Sequence, residues 1–269
     1  MNARRWFTFI ATVSVAIGLG CEPRVSESPI TIAVLVSDEP GTARLNALQW
    51  AVESVNRSGG IEGGRPLQLA FPCQGRQDLA ACARAEILGN PKYAAMIGPE
   101  RSETLLDLAD ELIAAELVTV SPWSTASEIA RRYAGKGYLW RTVASDVTQV
   151  EMMLITAAED PSVKRIGLIA GVDLEGDSFF NWFGFFATEL GFGSDDVLVA
   201  RYLTGSGDSL ACEPHLQELM AGGADIIYAS MMNDAELTCI VSVWNAYREQ
   251  HDAAPRLFVS TSGYRPDVL

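Results

Sequence analysis

Residues 94–130 read AAMIGPERSETLLDLADELIAAELVTVSPWSTASEIA, and they hold two successive copies of one construction. Ala94–Ile97 is a short apolar run closed by Gly98-Pro99, which predicts a strand with a turn behind it. Ser102–Ala115 then carries apolar residues at helical spacing. Leu117–Val120 is a second apolar run, closed by Ser121-Pro122 and followed by a short helix over Ser127–Tyr133. Strand, proline-bearing turn and helix, repeated with short connections, predict parallel strands joined by crossover helices.

The alternation extends in both directions. Upstream, Ile30–Val36 is a continuous apolar run rich in β-branched residues, as a strand buried on both faces requires. Thr42–Ser58 places Leu45, Leu48, Val52 and Val55 on one helical face and ends at Gly59-Gly60. Leu67–Phe71 is a strand and Asp78–Leu88 a helix with Asp78 near its cap. Tyr138–Thr142 is extended. Downstream the pattern restarts: helix Val147–Ala158, strand Arg165–Ala170, helix Ser178–Leu190, strand Val197–Tyr202, helix Leu210–Met220, strand Ile226–Ser230, helix Asp234–Glu249 and strand Leu257–Ser260. Two runs of βα units meeting at Ser145 and Asp146 predict an α/β fold of two Rossmann-like lobes, each a parallel sheet flanked by helices. Lobe one spans residues 30–145 and lobe two 146–269. In the helix from Ser178, Phe179, Trp182, Phe183, Phe186 and Leu190 share a core-facing side. Phe180 and Phe185 fall off it, as ordinary packing or as contacts to a partner or to a missing part of the fold.

Composition narrows the function. Of 269 residues, 48% are hydrophobic and 20% charged, and the formal net charge is -14. So acidic a chain repels phosphate backbones, and no basic cluster argues for nucleic acid. The N-terminus has the form of an export signal. Arg4 and Arg5 precede an apolar run from Trp6 to Leu19, then Gly20 and Cys21. That run is short for a membrane span. Residues 1–20 therefore read as a signal peptide and Cys21 as a lipidated N-terminus, with residues 21–29 as a tether. An uncleaved anchor helix is the alternative; either way the remainder lies in the cell envelope or periplasm. Cys73, Cys82, Cys212 and Cys239 remain. Four cysteines allow three pairings, of which sequence proximity favours Cys73–Cys82 and Cys212–Cys239; buried free thiols are the other reading.

Signatures of catalysis are missing from the sequence. There is no Walker A loop, HExxH or GxSxG, and Gly205-Ser206-Gly207 lacks the third glycine of a dinucleotide loop. The two histidines, His215 and His251, supply neither a nucleophile's base nor a metal site. No enzyme, cofactor or metal is expected. The polar residues that stand out lie where ligands of open α/β sheets bind, just past strand ends. Gly98-Pro99-Glu100-Arg101-Ser102 and Ser121-Pro122-Trp123-Ser124-Thr125 set hydroxyls beside unpaired helix-start N–H groups, a surrounding suited to a carboxylate. Ser102 also reads as an N-cap, and Thr125 with Glu128 as a capping box; capping and binding are compatible. Trp123 is placed to cover an apolar part of a ligand.

On these two loops, together with Val55-Asn56-Arg57-Ser58-Gly59-Gly60-Ile61 and Leu139-Trp140-Arg141-Thr142 followed by Asp146, the chain resembles the type I periplasmic binding proteins, in the leucine/isoleucine/valine-binding branch. The resemblance runs from Ile30 to Leu269. It implies a hinged pair of lobes that close on a solute, commonly an amino acid, and deliver it to an ABC transporter permease. It implies ligand contacts from Ser102, Ser124 and Thr125, with Trp123 beside them. Glu175 stands where relatives usually carry a lobe-two tyrosine, and Ser262 where an acidic residue pairs with the ligand's ammonium. Glu175 or Asp177 is left to replace that clamp, or else both sit in a solvated loop. Relatives also continue beyond the point matching Leu269, so the resemblance implies a missing C-terminal part that completes both lobes. The remaining alternatives are a sensory envelope lipoprotein, an exported α/β enzyme and an envelope protein without a pocket.

Overall fold

Apolar strands with proline- or glycine-bearing ends do form two parallel sheets. The computed structural model describes residues 28–37, 41–203, 212–230, 234–251 and 253–260. Signal segment, Cys21, the Gly205–Gly207 stretch and Ser262 lie outside the described residues. The first sheet contains β1 (Ile30–Val34), β2 (Leu67–Ala70), β3 (Tyr93–Ile97), β4 (Thr119–Ser121) and β5 (Leu139–Arg141), in the order β2-β1-β3-β4-β5. The second contains β6 (Ile166–Gly171), β7 (Val197–Tyr202), β8 (Ile226–Ser230) and β9 (Arg256–Val259), in the order β7-β6-β8-β9. All pairings within both sheets are parallel. The helices are α1 (Ala43–Arg57), α2 (Leu79–Glu86), α3 (Ser102–Ala114), α4 (Ser127–Tyr133), α5 (Asp146–Ala158), α6 (Leu174–Glu189), α7 (Glu213–Ala221) and α8 (Asp234–Gln250).

Each sheet has its own core. Ala33, Leu35, Met96, Leu105, Leu108 and Leu112 centre the first, packed by α2 and α3. In the second, one face holds Leu168, Phe179, Phe183 and Tyr228, and the other Ile169, Leu216, Ile227 and Ile240. The Tyr228 hydroxyl donates to the Met153 carbonyl at 2.6 Å, which ties α5 to the sheet. Cys73 is joined to Cys82 beneath α2, and Cys212 to Cys239 between α7 and α8. Phe180 and Phe185 are exposed, with Arg201 over the Phe180 ring. Leu190 departs from its expected place in the core: it follows the last turn of α6 and is exposed.

The larger departure is the start of α6. The spacing of its aromatics predicts a helix from Ser178, yet it begins at Leu174. Asp173 is the cause, because its carboxylate accepts from the Gly176 N–H at 2.8 Å and caps the earlier turn. Gly176 permits it: a Cβ there would lie 2.0 Å from the Gly171 carbonyl oxygen, so only glycine lets the helix start against the strand end. Glu175 and Asp177 therefore stand in a helix's first turn and not in a loop.

The lobes are linked through the segment after β5. Arg141 donates to the carbonyls of Thr125 (2.9 Å) and Ala126 (3.0 Å), and the Asp146 N–H donates to Thr125 (3.1 Å). Asp146 is fully buried, with Oδ1 accepting from the Val147 N–H at 2.8 Å. Burial pushes its pKa up; the Ser178 hydroxyl, the Val147 and Ser127 N–H groups and Arg141 offset this only in part. Across the gap, Ser127 and Ser178 share a hydrogen bond of 3.1 Å, and the Trp182 indole donates to Ser127 at 3.2 Å.

Two predictions follow from this frame. Replacing Cys212 and Cys239 together with alanine should lower unfolding stability by about 2–4 kcal/mol, read by urea denaturation; an unchanged midpoint would contradict the closed Cys212–Cys239 link. For Asp146 the folded-state pKa lies above the unfolded one, so its contribution is fully present below about pH 4 and is lost as pH rises through the raised value. Asp146→Asn keeps an acceptor for Val147 and removes the titration. It should match the wild type near pH 4 and be the more stable of the two at pH 7; parallel stability profiles for the two proteins would refute the assignment.

Candidate solute-binding cleft

In each sheet the strand order reverses once, and the reversal opens a crevice at the carboxyl ends. For the first sheet it lies between β1 and β3, and for the second between β6 and β8. Ser37, Glu100 and Ser102 flank the first crevice; Asp173, Glu175 and Glu236 flank the second. The two edges approach one another where α4 meets α6: Leu174, at the start of α6, packs against the first lobe's core.

Ser102 and the Ser121–Thr125 loop are brought together. Gly98 sets the approach, because its φ is +107° and a Cβ there would meet the Leu35 carbonyl oxygen at 2.3 Å. The Pro99 carbonyl then accepts from two hydroxyls, Ser121 at 2.9 Å and Ser124 at 3.2 Å, and Ser121 Oγ accepts from the Ser124 N–H at 3.1 Å. Ser102 is the first residue of α3, not its cap, and its Oγ accepts from the Ala126 N–H at 3.2 Å. One hydroxyl on α3 thereby caps α4. A serine oxygen has two lone pairs and one proton, so this bond leaves the Ser102 proton available to a further acceptor. The expected Thr125–Glu128 capping box does not form. Ala126 occupies the cap position, one residue out of register, and Glu128 instead binds Arg131 at 2.8 Å. Thr125 is buried and contributes its carbonyl to Arg141 and Asp146.

Trp123 is half-buried against Val34, Val36 and Leu45, with the Arg44 guanidinium 5.3 Å from its ring centre. Arg44 also lies 3.6 Å from Glu100, whose other oxygen accepts from the Ser37 N–H at 3.2 Å and from the Ser37 hydroxyl. Sequence reasoning missed Arg44. A signal was available, because a cation in a helix's first turn opposes the macrodipole and needs an anion nearby.

On the second lobe, Glu175 is buried and at the edge that meets lobe one. Asp177 points elsewhere: it is 60% exposed and paired with Arg201 at 2.6 Å. Tyr202, at the end of β7, was not anticipated as a site residue. It is 4% exposed, and its hydroxyl completes no hydrogen bond of normal geometry. Among the described residues no cluster of histidine, cysteine and carboxylates could hold a metal, and no helix is long and apolar enough to cross a membrane.

Comparison with known proteins agrees with this arrangement. A family model described as periplasmic binding protein matches residues 29–269. The chemotactic signal transduction system substrate-binding protein BasB of Halobacterium salinarum is 29% identical over 116 residues, which is 42% of this chain and 28% of that protein. An ABC transporter substrate-binding protein of Desulfitobacterium hafniense, solved in complex with Leu, superposes with a TM-score of 0.67 at 22% identity, over 88% of this chain and 67% of that one. The leucine-binding protein LivK of Thermotoga maritima gives 0.70 at 20% identity, over 89% and 65%. A solute-binding protein of R. palustris in complex with 4-hydroxybenzoate gives 0.72 at 16% identity, over 90% and 65%. The chain thus spans about two thirds of the length of these solved structures and 28% of BasB. A model match over nearly the whole chain, together with two parallel sheets arranged as in these solved structures, shows that the chain belongs to the periplasmic binding protein family.

Proposed function

We propose that this chain is an extracytoplasmic solute-binding protein that takes up an amino acid or related carboxylate between lobes 30–145 and 146–269 and passes it unchanged to an ABC transporter. The observation that carries this reading is the bond from the Ala126 N–H to Ser102 Oγ, which fixes two helix starts side by side on one rim. A ligand carboxylate placed there takes the remaining Ser102 proton and the helix-start N–H groups of α3 and α4, where partial positive charge accumulates. Ser124 supports the loop through Pro99, and Thr125 and Trp123 shape its floor and side. Glu175, on the facing edge, meets the α-ammonium; Asp177, committed to Arg201, contributes less. In this reading Ser262 is a neutral replacement for an acidic residue and Cys21 carries the lipid that holds the protein to a membrane. The crossover at 141–146 is the hinge. In this reading no covalent step is involved.

A second reading rests on one observation: the curated relative BasB is described as part of a chemotactic signal transduction system. The same capture would then report a solute to a receptor. A permease gene beside this one supports transport, and a transducer or kinase gene beside it supports sensing.

A thermal-shift screen of amino acids, followed by calorimetry, tests the capture itself. Ser102→Ala with Thr125→Ala should weaken the best amino acid by roughly 10- to 100-fold, about 1.4–2.7 kcal/mol, while leaving the unfolding midpoint of the free protein within a few degrees. Unchanged affinity in the double variant would remove the rim from the site.

A further inference from the structure

The junction of the lobes buries an acid whose nearby cation is engaged elsewhere. Asp146 is the first residue of α5 and 0% exposed. Its surroundings come from both lobes: the Thr125 carbonyl, Ser127 and Arg141 from lobe one, and Ser178 of α6 from lobe two. Oδ1 accepts from the Val147 N–H at 2.8 Å, whereas Oδ2 is buried and completes no hydrogen bond of normal geometry. Arg141 directs its guanidinium to the Thr125 and Ala126 carbonyls, at 2.9 and 3.0 Å. The acids of the adjoining helix starts bring no cation to it. Glu128, in the first turn of α4, binds Arg131, and Asp177, in the first turn of α6, binds Arg201. Glu175 shares that turn of α6 and adds a like charge.

A carboxyl group so placed favours its neutral form. Ionised, it only accepts, and Oδ2 is then a buried acceptor without a donor. Parting the lobes makes two opposite changes. Water reaches Oδ2, which favours the charge, and Arg141 withdraws with lobe one, which opposes it. Burial is the largest influence on Asp146, and Arg141 ranks below the Ser178 hydroxyl and the Val147 N–H, so the arrival of water decides the sign. The bonds across this junction are few: Ser127 to Ser178 at 3.1 Å, and the Trp182 indole to Ser127 at 3.2 Å. Neutral bonds of this kind contribute modestly, and one uncompensated buried charge is enough to offset them.

We propose that Asp146 couples one proton to the meeting of the two lobes: the acid is neutral where they touch and ionises as they part. Acid conditions then favour the closed cleft, and a rise in pH favours opening and release of the solute. The effect on the solute rests on the proposed capture between the lobes; the link between proton and lobe contact does not.

Small-angle X-ray scattering of the free protein tests that link without a ligand. The radius of gyration should be smaller at pH 5 than at pH 8. Asp146→Asn keeps an acceptor for Val147 and stays neutral, so it should hold the smaller value at both. A wild-type radius that does not change with pH, or one that changes equally in the variant, would overturn the coupling. Calorimetry with L-leucine, whose own charges are constant over this range, tests the consequence. Wild-type affinity should fall severalfold from pH 5 to pH 8, by at most tenfold per pH unit, and binding at intermediate pH should take up a proton. Asp146→Asn should bind at pH 8 as tightly as the wild type does at pH 5. L-Leucine binding that ignores pH in the wild type also defeats the coupling. Failure of every amino acid to bind at either pH counts against the capture reading, and the scattering then decides the coupling alone.

Discussion

The carbonyl oxygen of Thr125 accepts from the Arg141 guanidinium and from the Asp146 N–H, and the rest of the cleft depends on that convergence. Thr125 belongs to the rim loop after β4, Arg141 ends β5, and Asp146 opens the first helix of the second lobe. A single oxygen thus binds a candidate ligand loop to the strand that leaves lobe one and the helix that enters lobe two. Both donors are held in place by burial. Arg141 loses charge stabilisation from water, and Asp146 is pushed toward its neutral form, so neither is placed there without cost. Their neighbours Ser127, Ser178 and Trp182 bridge the lobes by hydrogen bonds, which are easier to exchange than packed apolar contacts. A crossover of this kind holds a relative orientation while leaving closure possible.

Parallel sheets supply the second constraint. Every strand ends at the same edge, so every following helix starts there, and backbone N–H groups collect with it. In lobe one the serine hydroxyls and Arg44 add to that donor character. In lobe two the same edge carries Asp173, Glu175 and Glu236, which reverses its sign despite the helix starts beneath it. The first-lobe edge thus mixes hydroxyls and Arg44 with Glu100, whereas the second-lobe edge carries three carboxylates, a division that the formal charge of -14 alone would not indicate.

Most elements could be read from the sequence because parallel strands buried on both faces are continuous apolar runs, and their ends carry glycine, proline or serine. The spans 127–133, 197–202 and 226–230 came out as read, and the other elements are displaced by a few residues. The start of α6 was misplaced because apolar periodicity gives no signal for Leu174–Asp177; the cap from Asp173 and the close contact at Gly176 decide it. In the site, Ser102, Ser124 and Thr125 were legible as hydroxyls at strand ends. That Ser102 caps the neighbouring helix was not, since the bond joins residues 24 positions apart. Tyr202 reads in sequence as one more aromatic in a strand, and its burial and its pairing with Gly171 come from the register of β6 and β7. Arg44 became visible through its contacts with Glu100 and Trp123.

Amide hydrogen exchange on the intact protein, with and without a saturating amino acid that raises its melting temperature, tests the central claim most directly. Capture between the lobes requires slowed exchange at the start of α4, around Ala126, and simultaneously at the start of α6, around Gly176–Ser178. Protection confined to either lobe, with the opposite helix start unchanged, would mean that the solute is not held between them.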